Sequence, residues 1–319
     1  MTFPKDVGRL PHDRSHLLCH DGDHRKPTDL FQGSIDRWLE AIVSDDSAID
    51  ERSGVEVEGV VFSKGEGCVA GRPPIDRLVE RHFPSCEIEW VVSEGGGVSE
   101  KDKILTLTGP SSSVLSCERI LLNLLGRMSG IATATAAWVK DSGKIGIACT
   151  RKTAWGLLDK WAVHVGGGLT HRLSRSDALM IKENDLAVFD TKENDADVVV
   201  RSVVESIDFG SDGSFAILEV SEDIQAFAAA DAWSECQSRR GGGDPLVLLL
   251  DNLGPSKCEA IHYELIRVGL RNLCILEGSG RVSKQDLKSW ATSGVDVLST
   301  SEINMASTLL DVSMIVGDC

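Results

Sequence analysis

The chain has 319 residues, 42% of them hydrophobic, and a formal net charge of −16. That length supports one large domain or a large and a small one, and so acidic a chain would repel nucleic acid. No uninterrupted apolar run approaches the roughly 20 residues of a membrane span. The nine cysteines make no C-x-x-C pair, so reduced thiols in a cytoplasmic protein are expected rather than a disulfide frame or a zinc knuckle.

Residues 1–27 are polar, lack the apolar core of a secretory signal, and are expected to form a flexible leader. His12, His16, His20 and His24 recur in it every four residues. On a helix they would share one face and could hold a metal, whereas the Gly, Pro and Asp content of the segment favours a mobile polar chain. A helix is predicted from Thr28, with Leu30, Phe31, Ile35, Trp38, Leu39 and Ile42 on one face. Alternation predicts a strand over 55–62, with short strands at 90–92 and 104–108 and a long helix over 116–130 burying Ile120, Leu121, Leu124 and Leu125. This region reads as a small α+β domain.

After Gly130 short apolar runs alternate with amphipathic ones. Strands are predicted at 144–150, 178–182, 215–220, 246–251, 272–277 and 295–300, with helices near 155–165, 193–206, 222–238, 255–268 and 283–293. Six strands alternating with helices imply a parallel sheet or barrel, and the unbroken apolar run 246–250 fits a strand buried on both faces.

In such a barrel the site forms at the C-terminal ends of the strands. The predicted strands end in Thr150, Arg151 and Lys152; in Lys182, Glu183, Asn184 and Asp185; in Glu219 within an apolar frame; in Asp251 and Asn252; in Glu277, Gly278, Ser279 and Gly280; and in Ser299, Thr300 and Ser301. Gly166, Gly167 and Gly168 lead to His171 and Arg172, and allow close backbone approach to a ligand. Arginine forks suit carboxylate and phosphate, carboxylates beside polyphosphate hold Mg²⁺ or ribose hydroxyls, and Ser279 and Gly280 in a Gly-x-Gly turn can bind a terminal phosphate. Together they imply a phosphorylated sugar and an anionic acceptor. The glycine runs at 95–97 and 241–243 lack the strand–turn–helix context of a nucleotide fingerprint and read as loops.

These residues resemble quinolinate phosphoribosyltransferases, the carboxylating nicotinate-nucleotide pyrophosphorylases. The matching stretches are 117–119 through Leu122 and Asn123, 128–133, 150–153, 166–168, His171 and Arg172, 181–184, 218–220, 250–252 and 276–280. The resemblance implies an α/β sandwich domain at residues 28–122, with 306–319 packing back on it, and an open, about six-stranded parallel α/β barrel of type II phosphoribosyltransferases at 123–305. It implies transfer of phosphoribosyl from phosphoribosyl pyrophosphate (PRPP) to quinolinate with decarboxylation, in NAD biosynthesis. It also implies a homodimer, or a larger assembly of dimers, in which Arg119 reaches the neighbouring active site.

Carried over residue by residue, Arg119, Thr150, Arg151, His171 and Arg172 would bind quinolinate. Lys152, Lys182, Glu219 and Asp251 would be catalytic and contact PRPP, with Glu219 and Asp251 holding Mg²⁺, and Ser279, Gly280 and Ser301 would bind phosphate. The chain departs from the family pattern at Trp155, Asp185, Ser301, Asn304 and Met305, and lacks the early Gly-Asp-x-Thr motif. Two alternatives stand beside this reading: a related pyrophosphorylase acting on nicotinate or another ring acid, and a non-catalytic protein that binds a phosphorylated metabolite. Three arginines, at 119, 151 and 172, favour a dicarboxylate over the first, and the two lysines and two carboxylates favour catalysis over the second.

Overall fold

A computed structural model describes residues 10–182, 184–186, 196–207 and 215–318; Glu183 and the start of the helix predicted at 193–206 lie outside them. They form two compact units, interleaved in sequence rather than divided at residue 122: one of residues 14–138, 152–170 and 303–318, the other of residues 10–13, 139–151 and 171–302.

In the first unit, α1 (Asp29–Asp46) starts at Thr28, whose hydroxyl accepts the Phe31 N–H at 3.3 Å, and buries Phe31, Ile35 and Leu39 at i, i+4 and i+8. Ser47, at φ 53°, ends it in the left-handed conformation. A four-stranded antiparallel sheet runs in the order β12–β1–β5–β3, from β1 (Glu56–Ser63), β3 (Glu87–Trp90), β5 (Lys103–Pro110) and β12 (Val312–Asp318). In β1 every second residue is buried, so one face packs and the other faces water. A two-residue ladder joins β2 (Gly67–Cys68) to β4 (Gly97–Val98).

Helix α2 (Arg72–His82) was not predicted from the sequence, and it carries Pro73 and Pro74 at its start. In the first helical turn they are tolerated, since no intrahelical N–H partner is needed there. Helix α3 (Ser111–Ser142) is twice as long as predicted. Its glycines do not end it. A Cβ at Gly130 would overlap the Thr308 carbonyl, and Leu310 N donates to the Gly126 carbonyl at 2.9 Å, so the glycines admit the returning chain. By length and composition α3 could cross a membrane, but 67% of its most apolar window is buried inside the fold. Helix α4 (Leu157–Val165) and α9 (Glu302–Met305, from Ile303 onward) also belong here.

The N-terminal expectation needs correcting from residue 10 onward. Leu10, His12, Leu18 and Cys19 are buried, short 3-10 turns form at Ser15–Leu17 and His20–Gly22, and Cys19 bridges to Pro27. The segment is folded because its few apolar residues find cover. The four histidines share no helix face: His12 is buried, while His16 and His20 are exposed.

The second unit is a parallel sheet in the order β6–β11–β10–β9–β8–β7, built from β6 (Gly146–Cys149), β7 (Leu179–Ile181), β8 (Ala216–Val220), β9 (Leu246–Asp251), β10 (Cys274–Ser279) and β11 (Val297–Thr300). Among the described residues β6 and β7 do not pair, so the barrel is open. Helices α5 (Ala196–Glu205), α6 (Asp223–Arg240), α7 (Gly254–Arg267) and the short α8 (Leu287–Trp290) alternate with the strands. At the strands' N-terminal end, Arg271 and Asp296, 2% and 0% exposed, pair at 2.8 Å. Arg271 also donates to His262 Nδ1 (3.0 Å) and to the Cys274 and Gly294 carbonyls (2.9 and 3.0 Å), and Asp296 accepts the Leu276 N–H at 2.9 Å.

Candidate active site

The parallel register decides which side chains converge. Ile181 lies beside Leu218, Glu219 beside Leu249, Leu249 beside Glu277, and Asp251 beside Ser279. Neighbours in a parallel sheet share a face and alternate residues along a strand share it too. Lys182, Glu219, Asp251, Glu277 and Ser279 therefore stand on one face. Lys182 and Glu219 form an ion pair through Nζ and Oε2. The Asp251 carboxylate accepts the Ser279 hydroxyl at 2.6 Å and the Asn252 side-chain amide.

The turn after β10 is shaped for close approach. Gly280 has φ 92°, and a Cβ there would overlap Asn252, so only glycine fits. Asn252 (φ 56°) and Arg281 (φ 50°) are themselves left-handed, as strand-end loops at functional sites often are. Thr150 N lies 3.4 Å from the Thr300 carbonyl, which joins the ends of β6 and β11, and Ser301 follows, half-buried. Arg151 is exposed.

His171 and Arg172 are both 4% exposed. Arg172 donates from Nη1 to the Ala178 carbonyl (3.1 Å) and from Nη2 to the Met180 sulfur (3.2 Å), and its buried Nε has no partner among the described residues. Burial, then the like charges of Arg151 and Arg175, hold this guanidinium below its ordinary pKa. His171 Nε2 is 3.1 Å from Glu277 Oε1, and His12 Nε2 is 2.9 Å from Glu277 Oε2.

Lys152 and Arg119 lie in the other unit. Arg119 is exposed on α3 and makes no ion pair among the described residues. The loop carrying Lys152 is tied by side chains that sequence reasoning did not single out. Asn304 Nδ2 donates to the Lys152 carbonyl at 2.7 Å, and Asp159 Oδ2 accepts the Ala154 N–H at 2.9 Å. Asp159, 1% exposed, pairs with Arg127 at 2.9 Å. The Arg127 guanidinium sits 5.4 Å over the Trp155 ring, whose centroid lies 6.3 Å from that of Trp38. In the glycine run, Gly166 has a packing role. A Cβ at Gly166 would overlap the Ala132 carbonyl of α3, so that glycine admits the helix.

An open parallel α/β barrel with cations, two carboxylates and a glycine turn at one rim defines the phosphoribosyltransferase class of site. Residues 42–129 match the family model for the quinolinate phosphoribosyl transferase N-terminal domain, and residues 131–315 match that for the C-terminal domain. The chain belongs to the quinolinate phosphoribosyltransferase family. It is 36% identical over 267 residues to the probable carboxylating nicotinate-nucleotide pyrophosphorylase of Archaeoglobus fulgidus, covering 81% of this chain and 94% of the relative. It is 31% identical over 269 residues to the chloroplastic carboxylating enzyme of Arabidopsis thaliana, covering 82% and 74%. The crystal structure of NadC from Streptococcus pyogenes superposes with a TM-score of 0.75 at 26% identity, covering 91% of this chain and 99% of that one.

Proposed function

We propose that the protein transfers the phosphoribosyl group of PRPP to quinolinate with decarboxylation, giving nicotinate mononucleotide, CO₂ and pyrophosphate in NAD biosynthesis. Arg172 carries this reading. A buried guanidinium whose Nε has no partner among the described residues calls for an anion, and a ring carboxylate offers two coplanar oxygens to such a fork. Arg151 brings a second cation close enough to repel it, as suits a dicarboxylate. In this reading Thr150 and His171 line the ring pocket. Arg119 reaches it from the partner of a homodimer, which its exposed position on α3, without an ion pair among the described residues, permits. The eight described cysteines, all free, fit a cytoplasmic location.

The pyridine nitrogen attacks C1 of the ribose as the bond to pyrophosphate breaks. Positive charge develops on the ribose, where Glu219 and Asp251 stabilise it, and negative charge develops on the leaving group, which Lys152 and Lys182 meet. Ser279, Gly280 and Ser301 hold the 5-phosphate. Glu219 and Asp251 offer the hard oxygen donors that suit Mg²⁺, largely through water and substrate oxygens. When bound, the ion supplies charge neutralisation at the pyrophosphate. Breaking the ring–carboxylate bond then leaves its electron pair beside the quaternised nitrogen, and that carbon takes up a proton. Positioning by the arginines is what this last step needs from the protein.

Purified protein with Mg²⁺, PRPP and quinolinate should release pyrophosphate and CO₂ in equal amounts. Pyrophosphate release with nicotinate alone, or with neither acid, overturns the reading. Arg119→Ala and Lys152→Ala subunits, each inactive, should regain activity when mixed; no recovery removes the shared site.

A further inference from the structure

The reaction as described leaves Glu277 and the segment around His12 without a role, although Glu277 is wholly buried and accepts from two imidazoles. His12 lies outside residues 42–315, the span matched to the family models. It nevertheless sits in the barrel unit, on the face of β10 that also carries Ser279, one step beneath the rim. Its ring packs against those of His171 and Phe215, at 5.0 and 5.6 Å between centroids.

The hydrogen bonds run in one direction. The Arg172 N–H donates to His171 Nδ1 at 2.7 Å, so Nδ1 is bare and the ring proton is on Nε2. That proton is donated to Glu277 Oε1, while Oε2 is held by His12 Nε2. The three ligand-type atoms lie within 4.8 Å of one another, a spacing a divalent ion could use. An ion bound at His171 Nε2 would, however, require Nδ1 to carry the proton and face an acceptor. It faces a donor, so the cluster is a hydrogen-bonded chain rather than a metal site. With both nitrogens engaged, His171 offers a ligand its ring surface and a fixed orientation.

We propose that His12 is a positioning residue for the ring acid: it fixes Glu277, Glu277 fixes His171, and His171 fixes the backbone of Arg172, whose guanidinium meets a ring carboxylate. The inference rests on the reading of Arg172 given above. The N-terminal segment thus tunes recognition of one substrate from beneath the pocket without touching it, through a tautomer that only an acceptor at Glu277 selects.

The test uses the full chain. His12→Phe keeps ring volume and loses the donor; His12→Gln restores a donor near the former Nε2. With His12→Phe, the KM for quinolinate should rise roughly tenfold, while the KM for PRPP moves less than about twofold and His12→Gln recovers most of the loss. Equal behaviour of the two variants, or a parallel rise in both KM values, overturns the proposal, since packing alone would do that. Nitrogen-15 spectra of the unmodified protein serve if a variant does not fold: His171 should be protonated at Nε2 and bare at Nδ1, and the reverse overturns the chain. Quinolinate binding to Arg172→Gln separates the two claims. Binding as tight as wild type overturns the Arg172 reading and this inference with it. Loss of binding in Arg172→Gln beside an unchanged His12→Phe overturns this inference alone.

Discussion

The side-chain amide of Asn304 donates to the Lys152 carbonyl at 2.7 Å, so the loop bearing Lys152 hangs from α9. Asn304 is itself fully buried, and its carbonyl lies 3.5 Å from the Arg127 guanidinium that pairs with Asp159 and covers Trp155. Trp155 and Asn304 thus fall in one cluster, joined through Arg127.

Asn304→Ala should loosen that loop. Unfolding free energy should fall by about 1–2 kcal/mol, and kcat at saturating substrates by roughly tenfold as Lys152 loses its fixed position. Urea unfolding and steady-state rates on the same preparation check both.

Lys182→Ala should do the opposite. Its ion pair with Glu219 is partly solvated, the two side chains being 47% and 17% exposed, so stability should change by less than about 1 kcal/mol. Because the lysine is assigned to the leaving pyrophosphate, the single-turnover rate should drop by roughly 100-fold or more.

Asp296→Ala strikes the far end of the sheet. It leaves Arg271 a buried cation without its carboxylate, which should lower stability by about 3–5 kcal/mol. KM for both substrates should stay within about twofold in the folded fraction, because the pair sits at the N-terminal ends of β10 and β11, away from the rim.

Glu277→Gln should show its cost as a function of pH. Burial pushes the Glu277 carboxyl up, but the His171 and His12 rings outweigh it and hold the group below its ordinary value of 4.5. A folded pKa below the unfolded one means the unfolded state takes up protons first as pH falls. The wild-type advantage, about 3 kcal/mol, should therefore be fully present above pH 4.5 and shrink as pH falls through the lowered value. Urea midpoints of the two proteins across acid pH measure it; an advantage that grows on acidification would refute the ionised assignment.

Much of this was legible in the sequence because local patterns dictated it. The six barrel strands carry continuous apolar runs, as in Leu246–Leu250, and strands buried on both faces have no other option. The rim residues were legible because polar groups recur at the same end of each strand. What was missed depends on contacts distant in sequence. β12 has no strand pattern of its own that sets its partner; the resemblance alone sent 306–319 back to the first domain, and β1 is its neighbour there. Asp159 was not singled out, since its burial depends on Arg127, 32 residues away in sequence. His12 reads as one of a periodic set of four, and its partner Glu277 is 265 residues away. Helix α2 went unpredicted, and Pro73 and Pro74 give an ambiguous signal, because the same residue breaks a helix interior and starts a helix end.

The sheet order β12–β1–β5–β3 has a bearing on synthesis. One edge of β1 is paired by residues 312–318, which are synthesised long after residues 56–63. At roughly 5–20 residues per second, that edge stays bare for on the order of tens of seconds after β1 emerges. The nascent chain must keep an open template of backbone donors and acceptors from annealing to other chains throughout that interval, and Glu56 and Glu58, whose charges line that strand, are placed to discourage it.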